Sequence, residues 1–310
     1  MCGIVGLFLK DESLQPELGA MLTDMLVTMT DRGPDSAGIA IYGDGVQGRT
    51  KLTVQSDAPG DDFTGLDADL GTALSCDVAT AIKDTHAVLT LPDDRAEAAR
   101  AALRALRRDV RVMGHGTTLE IYKEVGLPKD VAARFDLSSM SGTHGIGHTR
   151  MATESAVTTM GAHPFNTGED QCLVHNGSLS NHNSLRRKLR RAGVHIETEN
   201  DTEVGAAYLT WRMRNGATLG EALRSALDDL DGFFTFVVGT RDGFGVVRDP
   251  IACKPAVMAE TDRYVAFGSE YRALVSLPGI ETARVWEPEP ATVYFWSHDD
   301  APTTLTERAA

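Results

Sequence analysis

Cysteine is scarce in this chain. Four residues in 310, at positions 2, 76, 172 and 253, are too few and too dispersed for a disulfide framework. No CxxC, HExxH or similar spacing suggests a metal site. Long apolar runs are missing as well. The stretch 4–9 contains Gly6 and stops at Lys10-Asp11-Glu12; it is too short for a signal h-region and has no basic n-region. No run approaches the roughly 20 residues of a membrane span, and a reducing cytoplasm is the expected compartment. Positive charge is in deficit: 30 Lys+Arg face 44 Asp+Glu, a formal net charge of −14. That balance repels phosphate backbones and argues against nucleic acid as a partner. What is present is ordinary globular composition, 42% hydrophobic and 24% charged, in a length suited to one large domain or two ordinary ones.

Two blocks of strand-like, glycine-punctuated sequence flank a compositionally different middle. The first block, residues 1 to about 43, opens with the apolar strand 4–9. Leu18, Met21, Leu22, Met25, Leu26 and Met29 then follow helical spacing, and 37–42 reads as a strand after the turn Asp31-Arg32-Gly33-Pro34. The middle, about 44–139, starts with polar Gly/Asp-rich sequence and holds a strand–helix–strand pattern at 86–91, 93–106 and 110–113. The second block predicts helices at 181–192, 201–214 and 219–230. Two of them have capping-box starts, Asn200 with Glu203 and Thr218 with Glu221. Strands are expected at 234–239, 243–247, 256–259, 264–267 and 292–296, and a polar tail at 298–310. Runs of strands and runs of helices, without strict alternation, point to an α+β architecture built in layers.

Cys2 is the most informative residue. Initiator methionine is normally removed before a small second residue, so the mature chain is expected to begin with cysteine. A thiol of pKa about 8.5 would then lie beside an α-amine of about 7.7–8.0. The amine can take the thiol's proton, so nucleophile and base share one residue; the bland alternative is a cysteine that starts a strand. His175-Asn176-Gly177 follows the apolar strand 171–174. An Asn-Gly pair is often a turn, yet an Asn side-chain N–H and the next glycine N–H can converge on one oxygen, as an oxyanion hole requires. Arg150, in the glycine-led stretch 147–153, suits a bidentate carboxylate clamp or a plain surface position. Asp201, at a helix start, suits an ammonium group or simply the helix dipole.

Nine segments carry a family resemblance in order along the chain: Met1-Cys2-Gly3-Ile4-Val5-Gly6, Arg32-Gly33-Pro34-Asp35-Ser36-Ala37-Gly38, 147–153, His175-Asn176-Gly177, Asn200-Asp201-Thr202-Glu203, Leu230-Asp231-Gly232, Arg248-Asp249-Pro250, Lys254-Pro255 and Ser269-Glu270. Together they resemble the class II (N-terminal nucleophile, Ntn) glutamine amidotransferases, over about 1–43 and 140–295. The resemblance implies a four-layer α-β-β-α sandwich over 1–297, interrupted at about 44–139 by an insertion with a β-α-β module. It implies that Cys2 attacks the side-chain amide of L-glutamine, forms a γ-glutamyl thioester and releases ammonia. Asn176 and Gly177 would stabilise the oxyanion, Arg150 would bind the α-carboxylate and Asp201 the α-amine. Thr153 would assist, and Arg32 and Gly33 would line the pocket. Several family members carry histidine after the motif threonine, where this chain has Glu154. The inserted segment is either a decorative subdomain or an element that docks a partner or controls access. The basic run 186–191 lies on an amphipathic helix, and most of its charges are expected to face solvent.

Class II amidotransferases usually fuse the glutaminase to a synthase domain that consumes the ammonia. Here the sequence stops after the glutaminase block, so the acceptor domain is expected on another chain. The uninterrupted segments 140–157 and 249–274, with the long insertion, look like the stand-alone amidotransferase subunits of glutamate-synthase-like complexes. The N-methylglutamate synthases (methylamine–glutamate N-methyltransferases) offer the best likeness. In that family, partner subunits carry FMN and an iron–sulfur cluster. This chain lacks a cysteine cluster and a phosphate loop, and is expected to hold no cofactor and no metal itself. Two other readings stand beside this one: an autonomous γ-glutamyl amide hydrolase, and a catalytically silent glutamine-binding regulatory subunit.

Overall fold

The computed structural model describes residues 2–152, 156–298 and 307–308. Two antiparallel sheets stack face to face. The first has seven strands in the spatial order Arg284–Trp286, Val257–Glu260, Tyr264–Gly268, Gly3–Leu9, His144–Arg150, Ser36–Tyr42 and Leu119–Val125. The second has six, in the order Glu307–Arg308, Thr292–Ser297, Gly243–Arg248, Gly232–Thr240, Gln171–Leu179 and Phe165–Gly168. The two-residue strand places part of the expected polar tail at the edge of this second sheet, against Thr292 and Val293.

Strand periodicity sorts the side chains into layers. Along Gly3–Leu9, Ile4 and Phe8 face the second sheet and pack with Val174, Val237 and Phe244. Val5, Leu7 and Leu9 face outward and are covered by the helix Leu18–Thr28. Its buried residues Leu18, Met21, Leu22, Met25 and Leu26 form the expected stripe. In the second sheet Cys172, Val174, Val237 and Val246 point inward. Leu173, Leu179, Phe234, Phe236 and Val238 point outward, under the helices His182–Arg191, Asp201–Arg214 and Leu219–Asp229. The result is the expected α-β-β-α sandwich.

Helix Asp201–Arg214 is buried continuously from Thr202 to Thr210. Small residues allow this: a Cβ on Gly205 would sit 3.2 Å from the Phe236 ring, so the helix lies almost directly on the sheet. Its start differs from the expected capping box. Asn200 does cap, accepting the Thr202 N–H at 2.9 Å. Glu203, however, accepts the N–H groups of Glu197 and Thr198 at 2.7 and 2.6 Å, because the incoming chain folds across it. Thr218 and Glu221 do form a capping box.

The expected insertion is a separate four-stranded antiparallel sheet, ordered Ala79–Lys83, His86–Pro92, Arg49–Gln55 and Arg111–Gly116. Helices Leu66–Leu74 and Ala96–Leu106 share one core with it, including Leu52, Leu70, Leu89 and Leu103. The β-α-β unit of the sequence pattern is split, with Arg49–Gln55 lying between its two strands. The boundary differs from 44–139, since the separate sheet spans only 49–116. Leu119–Val125 rejoins the first sheet beside Ser36–Tyr42, and the helix Pro128–Arg134 buries Val131 and Ala132 in that sheet's outer core. Three charged residues in Leu119–Val125 hid a core strand, and each has a partner. Lys51 pairs with Glu120 at 2.8 Å, Thr85 donates to Glu124 at 3.0 Å, and Lys123 Nζ donates to the carbonyls of Ala162 and Pro164. Asp170 anchors the return of the chain, accepting the N–H groups of Thr117, Thr118 and Leu119 at 2.8, 2.9 and 3.0 Å. Among the described residues no helix is long and apolar enough to cross a membrane.

Candidate active site

Cys2 immediately precedes the central strand Gly3–Leu9 of the first sheet and remains partly exposed. Its carbonyl is held from two sides. Arg32 Nε donates to it at 2.9 Å, and Asn176 Nδ2, from the facing sheet, donates to it at 3.1 Å. Its Sγ lies 4.0 Å from the Met151 carbonyl. The nucleophile candidate therefore sits at the head of its strand, on a peptide whose carbonyl is restrained by the turn Thr30–Arg32 on one side and by the facing sheet on the other.

Arg32 is buried and bridges to Glu270 Oε1 at 2.7 Å, and Glu270 also takes Arg272 at 2.7 Å. The Arg32 hydrogen bond, with both guanidinium charges, holds the Glu270 carboxyl below its ordinary range, outweighing the opposing effect of burial. Gly33 permits this packing, since a Cβ there would lie 2.3 Å from the Thr149 carbonyl carbon. Arg150 ends the neighbouring strand His144–Arg150, buried. Asp35 accepts the Ala152 N–H at 2.8 Å and so directs the chain that leaves Arg150. Thr153 and Glu154 lie outside the described residues.

Asn176 is buried on Gln171–Leu179. Gly177 follows with φ +151°, and a Cβ there would stand 2.0 Å from the Phe233 carbonyl oxygen. Only glycine suits that turn of the backbone. Asp201 joins the cluster through its neighbours. Leu179 N–H donates to its Oδ2 at 2.9 Å, and Oδ1 lies 3.9 Å from His175 Nδ1.

A buried histidine chain ties these pieces together. His148 Nε2 lies 3.1 Å from the His175 carbonyl oxygen and 3.0 Å from His163 Nδ1. His163 Nε2 and His175 Nδ1 both meet Thr202 Oγ1, at 2.7 and 3.0 Å. Burial lowers all three pKa values, that of His148 to about 3, so the rings are neutral at pH 7. They bind the strand before Arg150, the strand of Asn176 and the helix of Asp201 into one unit. Sequence reasoning assigned them no role. The available signal was proximity along the chain: His148 precedes Arg150 by two positions, and His175 adjoins Asn176. Among the described residues no group of three His, Cys, Asp or Glu could hold a metal ion.

A four-layer sandwich of this kind, with a strand-leading cysteine facing Asn-Gly from the opposite sheet, is the fold of the Ntn-type glutamine amidotransferases. The chain belongs to the class II (Ntn-type) glutamine amidotransferases. The glutamine amidotransferase domain family matches residues 148–276. The chain is 70% identical to the glutamine amidotransferase-like protein GlxB of Rhizobium meliloti (strain 1021), over 97% of this chain and 100% of that protein. It is 35% identical to glutamine–fructose-6-phosphate aminotransferase [isomerizing] of Vibrio vulnificus (strain YJ016), over 43% of this chain and 22% of that enzyme. Its fold is shared with the glutamine phosphoribosylpyrophosphate amidotransferase of B. subtilis, at a TM-score of 0.61 and 20% identity, over 99% of this chain and 49% of that one. The chain thus spans about half the length of that solved structure.

Proposed function

We propose that this chain is a glutaminase subunit with Cys2 as its nucleophile. The observation that carries the reading is the double restraint on the Cys2 carbonyl, by Arg32 Nε and Asn176 Nδ2. In this reading Met1 is removed, and the free α-amine of Cys2 takes the thiol proton. Sulfur attacks the glutamine Cδ, and the amide oxygen becomes an oxyanion stabilised by Asn176 and the Gly177 N–H. Collapse expels ammonia, which carries away the proton from the amine, and leaves a γ-glutamyl thioester. Water then attacks the thioester, releasing glutamate and restoring the thiol. Arg150 binds the α-carboxylate of glutamine through its guanidinium fork and Asp201 its α-ammonium, with Thr153 assisting; Arg32 and Gly33 form the wall beside the thiol. Cys2→Ala tests this. Loss of glutamine hydrolysis by about a thousandfold or more, with the unfolding midpoint unchanged, is the expected result; undiminished hydrolysis refutes it.

The ammonia, in this reading, passes to separate glutamate-synthase-like subunits that carry FMN and an iron–sulfur cluster, in N-methylglutamate synthesis in the cytoplasm. The 70% identity to a glutamine amidotransferase-like protein over 97% of this chain supports the amidotransferase part of this reading. Affinity capture from the native host should bring down partners with flavin and iron–sulfur absorbance. Steady glutamine turnover by the isolated chain, with no such partner, would favour an autonomous hydrolase instead.

A further inference from the structure

A cavity of about 540 Å³ opens between the inserted module and the sandwich, and none of the proposed glutamine-site residues lines it. The module contributes helix Ala96–Leu106 and the segment leading into strand Arg111–Gly116; the sandwich contributes Lys123, Phe165, the 193–198 loop, Glu203 and Arg214. Its charge runs against that of the chain. Arg100, Arg104, Arg108, Arg111, Arg214 and Lys123 line it against only Glu97, Glu197 and Glu203, in a molecule of net −14.

The three carboxylates are already engaged. Glu203 accepts two backbone N–H groups, Glu197 pairs with His195 at 3.0 Å, and Glu97 takes Arg100 Nη1 at 3.4 Å. The cations are less well served. Arg104, Arg108 and Arg214 have no ion-pair partner among the described residues, and Arg100 Nε is buried without any hydrogen-bond partner. Lys123, 3% exposed, donates to the carbonyl oxygens of Ala162 and Pro164, lies over the face of Phe165 and feels the charges of Glu203 and Glu197. Several guanidinium forks converging on one space are the geometry that suits a bidentate, multiply charged anion such as a phosphate. Met113, Val110 and Phe165 supply an apolar wall. A volume of this size is that of an ordinary small-molecule site, about 300–1,000 Å³.

We propose that this cavity binds a phosphorylated small molecule of nucleotide size, its phosphate on the arginines and its flat body on the apolar wall. The site stands on its own geometry and does not require Cys2 to be the nucleophile. It also touches both flanks of the glutamine site. Lys123 holds the carbonyls on either side of His163, and Glu203 lies on the helix that begins with Asp201. An occupant is therefore placed to regulate glutamine binding, a consequence that rests on the glutaminase reading.

The test uses AMP and inorganic pyrophosphate as probes, with citrate as a control, on the full-length chain by calorimetry and thermal unfolding. Both phosphate compounds should bind and raise the unfolding midpoint. Cys2→Ala should bind like the unsubstituted chain, whereas R104E/R108E should bind at least about tenfold more weakly. Both arginines are exposed and make no side-chain bond that the fold needs, so this variant should keep its structure. No binding of either phosphate compound, equal binding by R104E/R108E, or citrate binding as tightly as pyrophosphate would overturn the proposal. A normal phosphate titration in a chain without glutaminase activity would sink the functional reading and leave this one intact.

Discussion

In the proposed mechanism Asn176, which donates to the Cys2 carbonyl, and Asp201, which accepts the Leu179 N–H, have separate roles, which makes their substitutions informative. Asn176→Ala should lower kcat by about 10²–10³ while leaving KM nearly unchanged, the pattern of a lost oxyanion donor. Asp201→Asn keeps an oxygen for the Leu179 N–H but removes the charge. If Asp201 binds the substrate ammonium as proposed, the expected effect is a KM for glutamine raised about tenfold or more with kcat little altered, since that contact would be alike in ground and transition states. Steady-state kinetics on both variants separate the two roles. Asp170 serves the fold instead. Burial opposes its ionisation, yet the Thr117, Thr118 and Leu119 donors outweigh that and lower its pKa below the usual value of 3.8. Its stabilisation is therefore complete above the unfolded pKa and lost as pH falls through the lower folded one. Asp170→Ala should cost about 3 kcal/mol or more in urea unfolding, since it strands three backbone donors at roughly 1–3 kcal/mol each.

At the scale of elements, legibility followed local chemistry. The Thr218–Glu221 box was readable because both partners lie within one turn, and Thr218→Ala should cost about 1 kcal/mol in urea unfolding. Asn200 with Glu203 matched the same pattern, but Glu203 turned to the backbone of residues 197 and 198, a choice made by the loop before the helix. Strand Leu119–Val125 was missed for a related reason. Its Lys and Glu residues read as surface, and only partners more than 30 residues away, such as Lys51 and Thr85, make burial affordable there. The apolar strand Gly3–Leu9 and the stripe of Leu18–Thr28 needed no such partners, and both were visible in the sequence.

Across the whole molecule, buried histidines set the acid limit of stability. His86, His144 and His148 have pKa values lowered by burial to about 3. Between that value and the unfolded value of about 6.5, the unfolded chain binds protons that the folded chain does not. Stability is thus fully present above about pH 6.5 and falls steadily as pH drops toward 3. Thermal unfolding midpoints should decline monotonically from pH 7 to pH 4, with net proton uptake on unfolding at pH 5 measured by calorimetry in buffers of different ionisation enthalpy. A flat profile over that range would show these rings already protonated in the fold.

The four-layer sandwich was what the family resemblance implied; the sequence by itself determined the α+β run of strands, the helices that cover them and the order of the site motifs. Each of these rests on periodicity or on residues adjacent in the chain, where the backbone alone fixes the geometry. Tertiary structure alone decided the remainder: the true limits of the inserted module, the His148–His163–His175–Thr202 chain, and the cationic cavity between module and sandwich. Those features join side chains from elements far apart in sequence. Their partners are chosen by packing of the whole chain, a choice that no local pattern records.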